Sequence, residues 1–153
     1  MASIEQVSEN DLKEIQKIIG EEFPYTRKLL EPIEQRIRKQ NYFLFKLQEN
    51  GKILGFTELR AKDGMGELLG IAVRKEFRRK GHGRKLLRHA IGFFEKQNCF
   101  AVKLLVKKNN APAIKLYIGE GFRTIRTIDL RHEKAEAFEM MLDLIEPVTP
   151  QIM

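Results

Sequence analysis

The sequence predicts an α/β fold in which one mixed, largely antiparallel sheet of about seven strands, with a central parallel pair, is flanked by about four helices. Three observations predict it. Apolar runs of strand length recur through the 153 residues and are separated by turns bearing glycine, asparagine or aspartate. A strand pattern at Glu67–Val73 feeds a loop crowded with positive charge, which opens into a helix pattern from about Gly83 to Asn98 and then a parallel strand at Ala101–Val106. Asn50-Gly51 separates two other apolar runs, and both residues accept the positive φ that a tight hairpin needs.

The elements follow in chain order. Ile4 and Val7 mark a short first strand, and Ser8 and Asn10 can cap a helix from about Asp11 to Glu22 with the stripe Leu12, Ile15, Ile18 and Ile19. Pro24 interrupts the pattern. A second helix is predicted from about Arg27 to Gln40, carrying Leu29, Leu30, Ile33 and Ile37, with Pro32 near its first turn, where a missing N–H is tolerated. Tyr42–Leu47 and Lys52–Arg60 form the antiparallel pair, and Asp63-Gly64-Met65-Gly66 turns the chain into Glu67–Val73. Gly70 inside that strand points to a bulge or a close backbone approach. Leu86, Leu87, Ala90, Ile91, Phe93 and Phe94 give the third helix one buried face. Pro112 suits the start of a short fourth helix and Gly121 its end, and strands at about Phe122–Leu130 and Phe138–Leu144 close the chain around Arg131–Glu136.

Composition narrows the class. Hydrophobic residues make up 42% and charged residues 32%, as in a soluble globular domain, and no apolar run approaches the roughly 20 residues that span a bilayer. The opening MASIEQVSEN lacks a signal-peptide pattern, so a cytoplasmic protein with no membrane partner is expected. The single cysteine, Cys99, excludes an internal disulfide and sits where a small buried hydrophobe is expected. His82, His89 and His132 share no metal-ligand spacing with it, and no metal is expected.

The net charge is +7, and its distribution matters more than its total. Arg74 to Arg88 holds eight Lys/Arg against Glu76 alone, so this one stretch accounts for the whole excess. Lys75, Lys85 and Arg88 fit a solvated helix face as well as they fit ligand contact. The stretch lies where a strand passes through glycines into a helix. A helix N-terminus presents amides without intrahelical partners and about half a positive charge, so anions collect there. The Walker pattern is absent, and a dinucleotide fingerprint starting at Gly81 would find Leu86 where its third glycine belongs.

Arg78, Gly81 and Gly83 instead meet Q/R-x-x-G-x-G/A, and Asn110 to Phe122 meet N-x-x-A-I/V-x-L/F-Y-x-x-x-G-F through Ala113, Ile114, Leu116, Tyr117 and Gly121. On these two signatures, in this order, the chain resembles the GNAT superfamily of acyl-coenzyme A-dependent N-acetyltransferases over nearly its whole length. The resemblance implies one such domain over residues 1–146 with a frayed tail at 147–153, and acetyl-coenzyme A as cosubstrate. It implies that the parallel pair splays to admit the pantetheine arm and that amides of Ile71, Ala72 and Val73 pair with it. By the same resemblance Arg78, Arg79, Lys80, Gly81, His82, Gly83 and Arg84 grip the pyrophosphate, the His82 side chain pointing to solvent. The opening helices would wall the acceptor site, with Glu21, Glu22, Phe23 and Tyr25 at its border.

Acyl transfer to an amine needs a neutral amine, a polarised thioester carbonyl and a leaving sulfur that can take a proton. At pH 7 a lysine-type amine of pKa about 10.4 is neutral in only a few molecules in ten thousand, whereas an α-amine near 8 is neutral in roughly one in ten. The resemblance assigns Glu67 as base, directly or through water, against the reading of a solvated strand-end glutamate, and Glu58 stands in reserve. Amides near Ile71 would polarise the carbonyl. The same family places Tyr117 near the sulfur as proton donor, against the reading of a buried aromatic, and Asn110 on the pantetheine or on ordered water; Asn109 fits a turn. The acceptor could be a protein N-terminus, a lysine, a polyamine or another small amine, and oligomeric state, a homodimer included, stays open. Two other classes fit less of the sequence: a non-catalytic acyl-coenzyme A sensor, and a nucleic-acid module, which lacks interleaved aromatics because Phe93 and Phe94 fall on the buried stripe.

Overall fold

The computed structural model describes residues 1–23 and 32–144. In chain order the elements are β1 (Ser3–Gln6), α1 (Leu12–Glu22), α2 (Ile33–Arg36), β2 (Tyr42–Glu49), β3 (Lys52–Lys62), β4 (Met65–Val73), α3 (His82–Lys96), β5 (Ala101–Lys107), α4 (Ala111–Gly119), β6 (Arg123–Leu130) and β7 (Ala135–Asp143). The strands form one sheet in the order β1-β2-β3-β4-β5-β7-β6, antiparallel throughout except for β4 and β5. That is the predicted mixed sheet with its central parallel pair.

Local chemistry accounts for the connections. Asn50 and Gly51 (φ 52° and 74°) turn β2 into β3, and Asp63 and Gly64 (φ 54° and 78°) turn β3 into β4. Before α1, Asp11 Oδ2 accepts from both the N–H and the hydroxyl of Ser8, each at 2.9 Å, and from Lys46 Nζ at 2.9 Å. Burial pushes the Asp11 carboxyl up, but these donors outweigh it and hold the group below its ordinary range.

Each face of the sheet carries its own core. On one side Leu87, Ala90 and Phe94 of α3 pack with Leu59, Leu68, Val102 and Leu104, and Phe93 adds ring contacts to Phe43 (4.7 Å) and Phe45 (5.1 Å). On the other, Ile15, Ile18 and Ile19 of α1 and Ile33 of α2 cover Leu44, Phe56 and Ala72. The periodicities of both helices predicted these faces.

The second helix differs from its prediction. Pro32 has ψ 146° and sits just outside α2, so no continuous helix runs through it from Arg27, and α2 ends at Arg36 instead of Gln40. Asn41, at φ 64°, then reverses the chain into β2. Tyr25, Leu29 and Leu30 lie outside the described residues, as does the tail at 147–153. The last hairpin also shifts by a few residues, because a 3₁₀ turn at Arg131–Glu133 and Lys134 (φ 49°) let β7 begin at Ala135 instead of Phe138.

Candidate active site

The parallel pair is joined along four registers only, Met65↔Ala101, Gly66↔Val102, Glu67↔Lys103 and Leu68↔Leu104. Beyond Leu68 and Leu104 each strand stays bound on its outer side, β4 to β3 as far as Val73↔Gly55 and β5 to β7 as far as Lys107↔Ala137. The inner edges part, and the Leu69–Val73 edge facing the gap has no strand partner. A bulge sits at the branch: Leu59 pairs with Leu68 and Glu58 with Gly70, leaving Leu69 as the extra residue. Ile71 and Val73 pack toward Leu86 of α3, whereas the Ala72 methyl is buried against α1, so the backbone is what these residues offer to the gap.

β4 leads through a 3₁₀ turn at Lys75–Phe77 to the glycine loop. Arg79 (φ 64°) and Gly81 (φ 81°) are both left-handed, and a Cβ added at Gly81 would meet nothing within 4 Å. Conformation, not crowding, therefore calls for glycine there. Gly81 precedes α3, whose first intrahelical bond runs from the Lys85 N–H to the Gly81 carbonyl at 3.1 Å; the amides of His82, Gly83 and Arg84 are left for a ligand. A Cβ at Gly83 would lie 3.5 Å from Leu116, so α4 closes directly over the start of α3.

The cations of this stretch divide into two groups. Arg78 donates through Nε to the Val73 carbonyl at 2.9 Å and pairs with Glu22, so it is turned toward α1. Arg74 pairs with Glu14 (3.2 Å) and Glu21 (3.8 Å), while Arg84 (3.5 Å) and Arg88 (3.1 Å) share Glu120 and Lys85 donates to the Ala2 carbonyl at 2.5 Å. Arg79 and Lys80 are exposed and have no acidic partner among the described residues. His82 opens α3 half-buried.

Asn110 Oδ1 accepts from the Ala113 N–H at 3.3 Å and so caps α4, a role that leaves its NH₂ as the group available for a ligand. Two residues before the end of that helix, Tyr117 is 6% exposed and its ring lies 5.8 Å from Phe122. Burial pushes its phenol well above the ordinary value, so the hydroxyl holds its proton at neutral pH.

The two predicted base candidates stand in different places. Glu67 is level with Lys103 in the zipped part of the pair and is held by Arg60 at 2.6 Å, with Lys103 Nζ at 3.7 Å. Glu58 is level with Gly70, past the branch, and is 6% exposed beneath α2, where Arg36 Nη1 reaches its two oxygens at 2.5 and 2.7 Å. The Tyr42 hydroxyl is buried beside it, and burial together with the Glu58 charge drives that phenol far up. Sequence reasoning missed Arg36, Tyr42 and Glu120, for each is brought to the site by tertiary contact with a residue remote in the chain; Glu22, expected at the border of the acceptor site, pairs with Arg78.

Comparison with known proteins decides the family. The model of the acetyltransferase (GNAT) family matches residues 12–122. The chain belongs to that family. Among curated relatives, the [ribosomal protein bS18]-alanine N-acetyltransferase of Escherichia coli K12 is 38% identical over 89 residues, which span 57% of this chain and 60% of that enzyme. The crystal structure of the ribosomal-protein-S18-alanine N-acetyltransferase from Escherichia coli superposes with a TM-score of 0.83, at 26% identity over 100% of both chains. A putative acetyltransferase from Salmonella typhimurium, solved with its cofactor acetyl-CoA, shares the fold at TM-score 0.79 and 20% identity over 99% of each chain.

The features of this GNAT chain fit an acyl-coenzyme A. Consecutive amides at the start of α3, with Arg79 and Lys80 unpaired among the described residues, suit a diphosphate, and the branch between β4 and β5 suits an extended amide-bearing arm. Among the described residues no group of three His, Cys, Asp or Glu is placed to hold a metal, and no helix is long and apolar enough to cross a membrane.

Proposed function

We propose that this protein is an N-acetyltransferase that moves acetyl from acetyl-coenzyme A to a protein N-terminal α-amine, by direct attack of the amine with both substrates bound. The observation that carries this reading is the end of β4–β5 pairing at Leu68↔Leu104, which opens a gap between the glycine loop at the start of α3 and the helix bearing Tyr117. Acetyl-coenzyme A supplies the chemistry of an activated acyl carbonyl on a thiol leaving group. The chain's own groups supply the rest. Amides of the glycine loop and the Arg79 and Lys80 side chains bind phosphate, and the unpaired edge of β4 orients the arm and donates hydrogen bonds to the carbonyl. Tyr117 gives its proton to the departing sulfur.

Two arguments support an α-amine. The Escherichia coli relative is named for acetylating an alanine of a ribosomal protein. Independently, Glu58 and Glu67 are each engaged by cations, so neither is an unencumbered base for an amine of lysine type. An α-amine, about a thousandfold more often neutral at pH 7 than a lysine side chain if their pKa values are near 8 and 10.4, needs the least help. Nucleic acid fits poorly, since Arg74, Arg78, Arg84 and Arg88 are already matched by Glu14, Glu21, Glu22 and Glu120. The reading is tested by thiol release from acetyl-coenzyme A over a panel of alanine-initiated peptides, blocked lysine peptides and polyamines. Peptides with free N-termini should be preferred, and thiol release with none of these amines would defeat the proposal.

A further inference from the structure

Resting on that reading, we infer that Glu58 of β3, held by Arg36 and bordered by Tyr42, is the carboxylate that receives and orients the acceptor amine. The first argument is position. Glu67 is paired strand to strand with Arg60 and Lys103 on both sides, below the point where β4 and β5 separate. Glu58 is paired with Gly70, two residues beyond the last β4–β5 register, and therefore stands beside the open part of the gap. The second is clearance. Gly70 has no side chain between Glu58 and the gap, and a Cβ placed there would lie 3.7 Å from the Glu58 Cβ. Glycine is thus not demanded by crowding, and its φ is not in the left-handed range. The missing methyl leaves room on the face that Glu58 shares.

The third argument is the way the carboxylate is held. A single nitrogen of Arg36 spans both oxygens, at 2.5 and 2.7 Å, and a carboxylate has about four lone-pair directions. The guanidinium fixes the plane of the group and leaves other directions for an amine N–H. Tyr42 lines the same spot, its buried hydroxyl set against the Glu58 carboxylate, so Arg36 and Tyr42 together hold the group in place. This pair is also one of the few charged groups buried in the sheet's core, where a purely structural ion pair contributes little net stability.

The balance of the step is simple. The amine nitrogen, oriented by Glu58, forms the C–N bond with its lone pair and loses one proton to solvent. The C–S bond breaks with its pair on sulfur, the Tyr117 proton goes there, and Tyr117 regains a proton from solvent.

The experiment uses the full chain, acetyl-coenzyme A and a hexapeptide with a free N-terminal alanine, read by thiol release. Glu58→Gln should lower kcat/KM for the peptide by about 30-fold or more while the Kd for acetyl-coenzyme A changes by less than about twofold, and Glu58→Asp should recover part of the loss. Since Glu58→Gln strands a buried arginine and could fail to fold, Gly70→Ala provides the second reading. Its methyl meets only ordinary contact, so the protein folds, and KM for the peptide should rise about fivefold or more with coenzyme binding unaltered. A folded Glu58→Gln variant with wild-type kcat/KM, a loss in Glu67→Gln as large as in Glu58→Gln, or a Gly70→Ala variant with wild-type KM overturns the assignment. Wild-type protein that binds acetyl-coenzyme A yet releases no thiol with any amine overturns the transfer reading, and this assignment with it.

Discussion

Leu68 of β4 and Leu104 of β5 are the last residues paired across the parallel strands, and from that point the two strands follow different partners. Both side chains are buried beneath α3, at 6% and 4% exposure, so the pair is pinned from one side while the next residue, Leu69, bulges outward at 40%. The gap is therefore a product of packing: β3, paired across the bulge in β4, draws β4 one way, and β7 draws β5 the other.

Tyr117→Phe removes the hydroxyl and keeps the ring against Phe122. Turnover should fall by about a hundredfold or more, the range of a lost general acid, with acetyl-coenzyme A affinity nearly unchanged. Parallel thiol-release and calorimetric titrations check it, and undiminished turnover would take Tyr117 out of the reaction.

Arg79 and Lys80 are loop cations without an acidic partner among the described residues, whereas Arg84 shares Glu120 with Arg88. Replacing Arg79 and Lys80 together by alanine should weaken acetyl-coenzyme A binding by about tenfold or more, corresponding to about 1.4 kcal/mol or more, and reduce its salt dependence. The thermal shift produced by saturating ligand, about 2.7 kcal/mol at a hundred times Kd for the wild type, should shrink accordingly.

Arg36 and Glu58 form a buried pair, with side chains 11% and 8% exposed. Arg36→Met alone should cost about 3–5 kcal/mol by denaturant unfolding, because it leaves a buried carboxylate uncompensated. Arg36→Met combined with Glu58→Leu should recover most of that stability but none of the activity. Recovery of both would make the pair a structural feature only.

His89 of α3 lies edge-on to Phe45 at 4.8 Å with a buried, unpartnered Nδ1, and burial together with the charge of Lys96 lowers its pKa below 6.5. It binds protons more weakly folded than unfolded, so it costs stability once the unfolded chain begins to take up protons near pH 6.5 and below. Wild-type stability should fall between pH 7 and about 5, and His89→Leu should flatten that limb. A separate loss below about pH 4 belongs to Asp11, whose lowered pKa gives stability present above 3.8 and lost as acid protonates it.

Gly55 tests the packing of the sheet. A Cβ there would come within 2.3 Å of the Ala72 carbonyl oxygen, a backbone atom that cannot swing away. Gly55→Ala should destabilise the fold by about 1–3 kcal/mol or more, lowering the melting temperature measured by calorimetry.

Local patterns made most of the scaffold legible. Alternating and 3.6-residue periodicities located the sheet and the buried faces of α1 and α3, and Asn50-Gly51 located its hairpin, because each signal is carried within a few residues. The glycine loop and the α4 signature were legible for the same reason. The second helix was misread because an apolar stripe continues across Pro32 while its ψ of 146° breaks the backbone. At the site, Asn110 was expected on a ligand and its Oδ1 caps α4, while Arg78 is turned toward Glu22.

By itself the sequence determined where phosphate-binding amides and a tyrosine acid could arise, since a strand, a glycine bend and a helix start are contiguous in the chain. Only the tertiary structure decided which carboxylate is in register with the open part of the gap, which cations of the basic stretch have acidic partners among the described residues, and where the parallel strands part. Those properties depend on register between strands and on ion pairs between residues up to 60 positions apart, as for Arg74 and Glu14. A linear pattern does not encode them, because they arise from how opposing faces pack.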